Sequence, residues 1–173
     1  MSKPLEQKIE FKGKRIIVRK DKVLEQSGKE TIREVVLHPG AVSIVARPSA
    51  GKVILIRQHR YAAGETLIEL PAGTIDPGED PTETARRELL EETGYQAASI
   101  HHRATYFTTP GFTNELMYLF EATDLKVGEQ NLEDDEAIEV IITSSKEALL
   151  MIEEGAIHDA KTMLGLLIVL GGS

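Results

Sequence analysis

Short apolar runs separated by turn residues dominate the hydrophobic pattern along this chain. Runs of this length, bounded by Gly, Pro and Ser, are typical of β-strands. Strands are predicted over 15–18, 23–24, 32–37, 41–46, 53–56, 66–70, 104–107, 116–121 and 138–143. The pattern predicts an α+β domain in which a mixed sheet packs with few helices.

The clearest helix is predicted between Pro81 and Thr93. Asp80 can cap its N-terminus, Pro81 suits the first helical position, and Gly94 supplies a left-handed stop. We expect Glu83 and Arg87 to pair at i,i+4 on its surface. Further helices are predicted over 145–154, capped by Ser144 or Ser145, and after His158 or Asp159.

Three glutamates on this helix present the most informative chemistry. Glu88, Glu91 and Glu92 are three and four residues apart, which places their carboxylates on one face. Like charges so placed repel, and a divalent cation with oxygen ligands, Mg²⁺ or Mn²⁺, would offset the repulsion. The alternative is a solvated acidic face with no ligand.

The residues around these glutamates resemble the Nudix box. The matching positions are Gly73, Glu79, Arg87, Glu88, Leu89, Glu91, Glu92 and Gly94. Leu89 fills a position that accepts any apolar residue, and the other seven positions each require one residue type. Seven such positions match by chance at about one in 10⁸ per start point. Tyr95 departs from the usual aliphatic residue, with an effect expected on packing alone.

Composition narrows the class of protein. The chain has 173 residues, no cysteine, and a net charge of −8. The absence of cysteine excludes disulfides and thiol chemistry, and the negative charge argues against a nucleic-acid surface. No signal peptide and no apolar span long enough to cross a bilayer is found, so a cytoplasmic protein without membrane contact is expected.

The resemblance implies a Nudix α/β/α sandwich that hydrolyses a diphosphate bond with divalent metal ions. By that resemblance Glu88, Glu92 and the Ala72 carbonyl are metal ligands, and Glu91 is a ligand or positions water. The resemblance also assigns Glu79 and Arg87 to a salt bridge, with a direct part in catalysis as the alternative, and Gly73 and Gly94 to special backbone conformations.

A second acidic cluster precedes the strand at 138–143. Nudix enzymes that cleave ADP-ribose often have a catalytic or metal-binding glutamate in this loop. Glu136 is preferred for both roles, because it lies two residues before the strand. Glu133, Asp134 and Asp135 remain alternatives, as does a solvated loop without chemistry.

Pro110, fifteen residues after Tyr95, resembles the marker of the ADP-ribose pyrophosphatase subgroup. Phe112 departs from the small residue often found in that loop. Arg33, Arg60 and Glu115 match positions that bind substrate in this subgroup, and arginine grips phosphate bidentately. For each arginine, a surface salt bridge is the alternative.

The resemblance thus implies Mg²⁺-dependent hydrolysis of ADP-ribose to AMP and ribose 5-phosphate. The alternatives are hydrolysis of another nucleotide sugar or a dinucleotide, and a Nudix-fold module that binds ADP-ribose without cleaving it. Residues 1–38 are expected to form a β arm that pairs two subunits, with 39–173 forming the hydrolase domain. We therefore expect a homodimer with Arg33 near a shared cleft.

Overall fold

The computed structural model describes residues 2–132 and 136–171, which form ten strands and three helices. The strands are β1 (Lys3–Lys12), β2 (Ile17–Leu24), β3 (Glu30–Leu37), β4 (Ala41–Ala46), β5 (Lys52–Arg60), β6 (Glu65–Glu69), β7 (Ala72–Thr74), β8 (Tyr95–Phe107), β9 (Leu116–Val127) and β10 (Ile138–Ser144). The helices are α1 (Pro81–Thr93), α2 (Ser145–Glu153) and α3 (Ala160–Leu170). None of the helices in the described ranges is long and apolar enough to cross a membrane.

The chain forms two compact units. The first unit contains the chain up to Gly40 together with Tyr106–Met117, a segment that the sequence alone placed in the second domain. Its sheet has the order β1-β2-β3 with antiparallel pairs, and Val36 forms a bridge with Thr113. The N-terminal strands predicted from the sequence are therefore present, although the predictions at 15–18 and 23–24 both fall on the single strand β2, which begins only at Ile17.

The second unit contains Ala41–Thr105 and the chain from Tyr118 onward. The larger sheet has the order β10-β5-β4-β9-β8, with β6 beside β5 and β7 beside β4. Strand β4 is buried along its whole length, which explains its uninterrupted apolar sequence. Helix α1 packs on the face formed by Val42 and Ile44, and Gly165 of α3 approaches Val45 on the other face. The predicted α/β/α sandwich is confirmed.

Helix α1 begins and ends as predicted. The Asp80 side chain accepts a hydrogen bond from the Thr82 N–H, and Gly94 is left-handed with φ 74°. The surface pairing was wrong, because Glu83 lies 3.7 Å from Arg86 instead of pairing with Arg87. Arg87 pairs instead with Glu79, Glu88 and Glu91. Helix α2 is capped by Ser144 and α3 by Asp159.

The largest error of the sequence prediction concerns β8. It runs from Tyr95 to Phe107, whereas the apolar pattern indicated only residues 104–107. Most of the added residues are polar or only partly buried, so a hydrophobic criterion does not detect them. Pairing with β9 supplies the backbone hydrogen bonds that keep this segment extended.

Candidate active site

The three glutamates of α1 differ in depth. Glu92 is 3% exposed and lies on the buried side of the helix. The side chain of Glu88 is 13% exposed and that of Glu91 is 34% exposed. The exposure of the three carboxylates therefore increases from Glu92, which is desolvated, through Glu88 to Glu91, which solvent can reach. A merely solvated acidic face would not bury Glu92 and leave only 13% of the Glu88 side chain exposed.

Strand β7 lies against these carboxylates. The Ala72 N–H donates a hydrogen bond of 2.8 Å to Oε2 of Glu92. Ala72 is itself paired with Ser43 of β4, so the contact joins the helix to the sheet. The predicted metal ligands Ala72 and Glu92 are thus neighbours, separated by 20 residues in the chain.

Gly73 has a different role from the one the sequence suggested. Its φ is not positive, so the expected backbone conformation is wrong for this residue, whereas it is correct for Gly94. A Cβ at Gly73 would lie 1.9 Å from Cδ of Glu88. The absence of a side chain therefore makes room for the Glu88 carboxylate against the strand.

Arg87 contacts three acids of the site, Glu79, Glu88 and Glu91. Its Nε and Nη2 donate to the two oxygens of Glu79 at 3.0 and 2.9 Å, which confirms the predicted salt bridge. Its Nη1 donates to Glu88 at 2.8 Å and to Glu91 at 3.0 Å. The fork on Glu79 holds the pKa of that carboxyl at about 2. Arg87 thereby links the loop before α1 to the helix.

The buried carboxylates ionise with difficulty. The pKa of Glu92 is raised to about 8, chiefly by burial and in part by the charges of Glu88 and Glu136, against the Ala72 N–H and Arg60. Burial likewise raises the pKa of Glu88 to about 7, opposed by Arg87 and reinforced by Glu91 and Glu136. Glu88 and Glu92 therefore feel the charges of neighbouring acids, and Arg87 and Arg60 are the cations that oppose the rise in their pKa.

The donor set fits a hard divalent cation. Carboxylate and carbonyl oxygens are the ligands that Mg²⁺ and Mn²⁺ prefer. Within residues 2–132 and 136–171, no three acidic or histidine side chains are already gathered around a common metal position. A cation at these oxygens would compete with Arg87 for Glu88, while relieving the repulsion between Glu88 and Glu92.

The loop before β10 is tied to the end of α1. The Gln130 side chain donates 2.6 Å to the Glu92 carbonyl, and the Asn131 N–H donates 3.0 Å to the Glu91 carbonyl. These contacts were not foreseen from the sequence. They support the placement of Glu136 beside the helix, whereas the alternatives Glu133, Asp134 and Asp135 lie outside the described residues.

Arg60 lies at the end of β5, and a buried acid holds it. Its Nε and Nη2 donate to Glu69 at 2.8 and 2.7 Å. Its side chain is still 36% exposed, and its charge acts on Glu92. The predicted substrate residue is therefore in the same unit as the α1 carboxylates.

Arg33 and Glu115 lie in the first unit. Arg33 on β3 is 57% exposed and donates to Glu25 at 2.6 Å. Glu115 accepts a hydrogen bond of 2.6 Å from Thr108 and lies 3.5 Å from Nδ1 of His38. The His38 N–H also donates to Asn114, so this segment is anchored to the end of β3.

Comparison with known proteins identifies the family. The NUDIX domain model matches residues 37–165. An ADP-ribose pyrophosphatase of Bacillus subtilis (strain 168) is 40% identical over 154 residues, covering 88% of this chain and 83% of the relative. The chain belongs to the Nudix family.

Other relatives of this Nudix protein have different names. The methanol dehydrogenase activator of Bacillus methanolicus is 36% identical, covering 89% of this chain and 84% of its own. A GDP-mannose pyrophosphatase of Yersinia enterocolitica is 37% identical, covering 78% of this chain and 75% of the relative. A solved ADP compounds hydrolase superposes with a TM-score of 0.88 at 22% identity, covering 99% of this chain and 93% of its own, which confirms the fold.

Sequence reasoning missed the acid that holds Arg60 in this Nudix chain. Glu69 is completely buried, at the end of a strand whose apolar pattern otherwise resembles a core strand. A charged residue inside such a run is the available signal, because buried charges require partners. Its second partner, Lys161, is 92 residues away in the chain, and no local pattern connects them.

Proposed function

We propose that this Nudix protein hydrolyses the diphosphate bond of ADP-ribose, with Mg²⁺, to AMP and ribose 5-phosphate. One molecule of water is added across the bond, so that one P–O bond forms as the bridging P–O bond breaks. The observation that carries the proposal is the pair of α1 carboxylates against β7: Glu92, which is buried and bonded to the Ala72 N–H, and Glu88, which is 13% exposed and lies against Gly73. The name of the Bacillus subtilis relative supports the substrate.

We assign the metal to Glu88, Glu92, Glu136 and the Ala72 carbonyl, with Mn²⁺ as a substitute for Mg²⁺. When bound, such ions neutralise phosphate charge and lower the pKa of water. The Ala72 N–H occupies one oxygen of Glu92 and so orients the other. In metal sites generally, hydrogen bonds from groups that do not bind the metal orient the ligands that do.

Glu91 is proposed to position the attacking water. It is the most exposed of the three α1 acids, and Arg87 holds its carboxylate. A carboxylate that solvent can reach is able to accept a proton from water during attack. Glu92 and Glu136 complete the proposed catalytic group, since the Glu136 charge acts on both buried carboxylates.

Arg60, Arg33 and Glu115 are proposed to bind substrate. Glu69 fixes two donors of the Arg60 guanidinium, and the exposed part of this side chain can reach an anion. A planar fork fixed in this way binds phosphate with little loss of side-chain entropy. Arg33 is more exposed than Arg60, Glu115 is partly buried, and both have local partners that a ligand would replace.

Replacement of Glu92 by Gln tests the assignment. The variant keeps the size of the side chain but removes a ligand charge, so the metal-dependent rate should fall by orders of magnitude. Glu153→Gln, an exposed acid of α2, is the matched control and should leave the rate unchanged. Wild-type protein without Mg²⁺-dependent turnover would favour a module that binds ADP-ribose without cleaving it.

A second candidate is hydrolysis of another nucleotide sugar, because a relative at 37% identity is a GDP-mannose pyrophosphatase. Steady-state rates with ADP-ribose, GDP-mannose, dinucleotides and nucleoside triphosphates decide between the two. Equal or faster turnover of GDP-mannose or a triphosphate would overturn the choice of ADP-ribose and leave the metal chemistry intact.

We also propose that the β1 to β3 sheet pairs two subunits. Strand β1 is exposed along its whole length, including Leu5, Ile9 and Phe11, which are 50%, 56% and 56% exposed. Apolar side chains on an uncovered sheet favour association with a second copy. Light scattering at micromolar concentration should give the dimer mass, and a monomer mass would contradict the proposal.

A further inference from the structure

A charged network lies at the start of α3, outside the predicted catalytic residues. We call Asp159, Lys161 and Thr162 the α3 clamp. Lys161 Nζ donates to Glu69 and, at 2.9 Å, to Asp159. With Arg60 on the other side of Glu69, two cations face two carboxylates, so the buried charges balance.

The network is built to keep Glu69 ionised. This carboxylate has no exposed surface and receives two hydrogen bonds from Arg60 and one from Lys161. Burial opposes its ionisation, but these bonds still hold the pKa of Glu69 below its usual value. An ionised buried acid with both sides occupied has a single orientation, and it constrains the strand that bears it.

The clamp also holds the next residue by its backbone. Oγ1 of Thr162 accepts a hydrogen bond of 2.8 Å from the Leu70 N–H and donates one of 2.6 Å to Asp159. Both Thr162 and Leu70 are completely buried. The position of the α3 N-terminus is thereby transmitted to the backbone that leads to Ala72.

Two further contacts complete this segment. The Ile44 N–H donates 2.9 Å to the Pro71 carbonyl, and the Ala72 N–H donates 2.8 Å to Glu92. Each residue from 69 to 72 is therefore held by a partner from a different part of the chain. The last of these contacts is the one that orients the deepest carboxylate of the site.

We propose that Lys161 and Thr162 are positioning residues for the metal site. Lys161 and Thr162 hold the backbone at Ala72 through their contacts with Glu69 and Leu70. They thereby fix the position of the Ala72 carbonyl and the orientation of the Glu92 carboxylate. The inference rests on the proposed function, because it assigns these residues to the same metal site. It predicts that a change on α3 alters metal affinity without contacting the metal.

The test measures Mn²⁺ binding to the protein without nucleotide, by electron paramagnetic resonance of the free ion. Lys161→Met should weaken Mn²⁺ binding about tenfold, the size typical for loss of a residue behind a metal ligand. Lys161→Arg keeps the charge and should restore most of the affinity. Lys146→Met removes an exposed lysine of α2 and is the matched control.

Thr162→Val provides a second variant of nearly the same shape, which loses both the acceptor for the Leu70 N–H and the hydroxyl donor to Asp159 but keeps Lys161. It should also weaken Mn²⁺ binding, while circular dichroism shows a folded protein at the assay temperature. If wild type binds Mn²⁺ and both clamp variants match Lys146→Met, the inference is overturned and the proposed function stands. If wild type itself binds no Mn²⁺, the metal-dependent function fails, and the inference fails with it.

Discussion

Gly73 offers the sharpest test of how the carboxylates are placed, through the substitution Gly73→Ala. The added Cβ would lie 1.9 Å from Cδ of Glu88, and 2.0 and 2.3 Å from its two oxygens. Real Cβ atoms essentially never approach heavy atoms within 3.0 Å. The Glu88 carboxylate must therefore move by about 1 Å or more, because it is the end of a flexible side chain and the strand is not.

Movement of the Glu88 carboxylate should affect the catalytic rate much more than the stability of the protein. A misplacement of about 1 Å at a reacting centre can cost about 10²-fold in rate, which corresponds to about 3 kcal/mol of transition-state stabilisation. Stability should change much less, because the helix, the strand and their core contacts are unaltered. We expect Gly73→Ala to fold normally, to bind Mn²⁺ weakly and to lose most of its kcat/KM.

The assay compares kcat/KM, Mn²⁺ affinity and melting temperature with those of Gly111→Ala. At Gly111 an added Cβ meets no atom within 4 Å, so Mn²⁺ affinity should be unchanged there. Retention of wild-type Mn²⁺ affinity and kcat/KM by Gly73→Ala would refute the reasoning that the Glu88 position decides function. A large fall in melting temperature would instead show that the strand moves rather than the carboxylate.

Two further predictions concern pH. Burial raises the folded-state pKa of Glu88 from 4.5 to about 7 and that of Glu92 to about 8, so the folded protein retains protons that the unfolded chain has lost. The two protonated carboxyl groups therefore contribute to the free energy of unfolding fully below pH 4.5, and this contribution is lost as the pH rises through 7 and 8. The loss is on the order of 3 kcal/mol per carboxylate. Bound Mg²⁺ should reduce it. Melting temperatures of the metal-free protein that do not fall between about pH 5 and 8 would contradict this. Glu79→Gln should lower the free energy of unfolding by about 1–3 kcal/mol at neutral pH, because it removes the carboxylate that Arg87 grips. Since the pKa of Glu79 is lowered from 4.5 to about 2, its contribution is present above pH 4.5 and lost as the pH falls to 2. Denaturant titrations of the variant and wild type should therefore converge in acid, and a constant difference would refute the assignment.

The sequence was sufficient wherever structure depends on neighbours in the chain. Asp80, Pro81 and Gly94 set the ends of α1 through contacts within a few residues, and the helix has the predicted bounds. The salt bridge between Glu79 and Arg87 was also predicted, from the resemblance to the Nudix box. Local hydrogen bonding and backbone preference explain this success.

Long, partly exposed strands were less predictable. Strand β8 is polar over much of its length, and its extended form depends on pairing with β9. Similarly, the segment 106–117 groups with the N-terminal strands through the bridge between Val36 and Thr113. Neither pairing has a signal in the hydrophobic pattern, because the partners are distant in sequence.

By itself, the sequence determined the α1 helix, the shared face of Glu88, Glu91 and Glu92, and the match of these residues to the Nudix box. The tertiary structure decided which of these acids is desolvated, since Glu92 becomes buried only where the Ala72 strand packs against the helix. It also decided that Lys161 partners Glu69 across 92 residues. Spacing along a helix sets which side chains share a face, but burial and ionisation depend on what the rest of the chain places against that face.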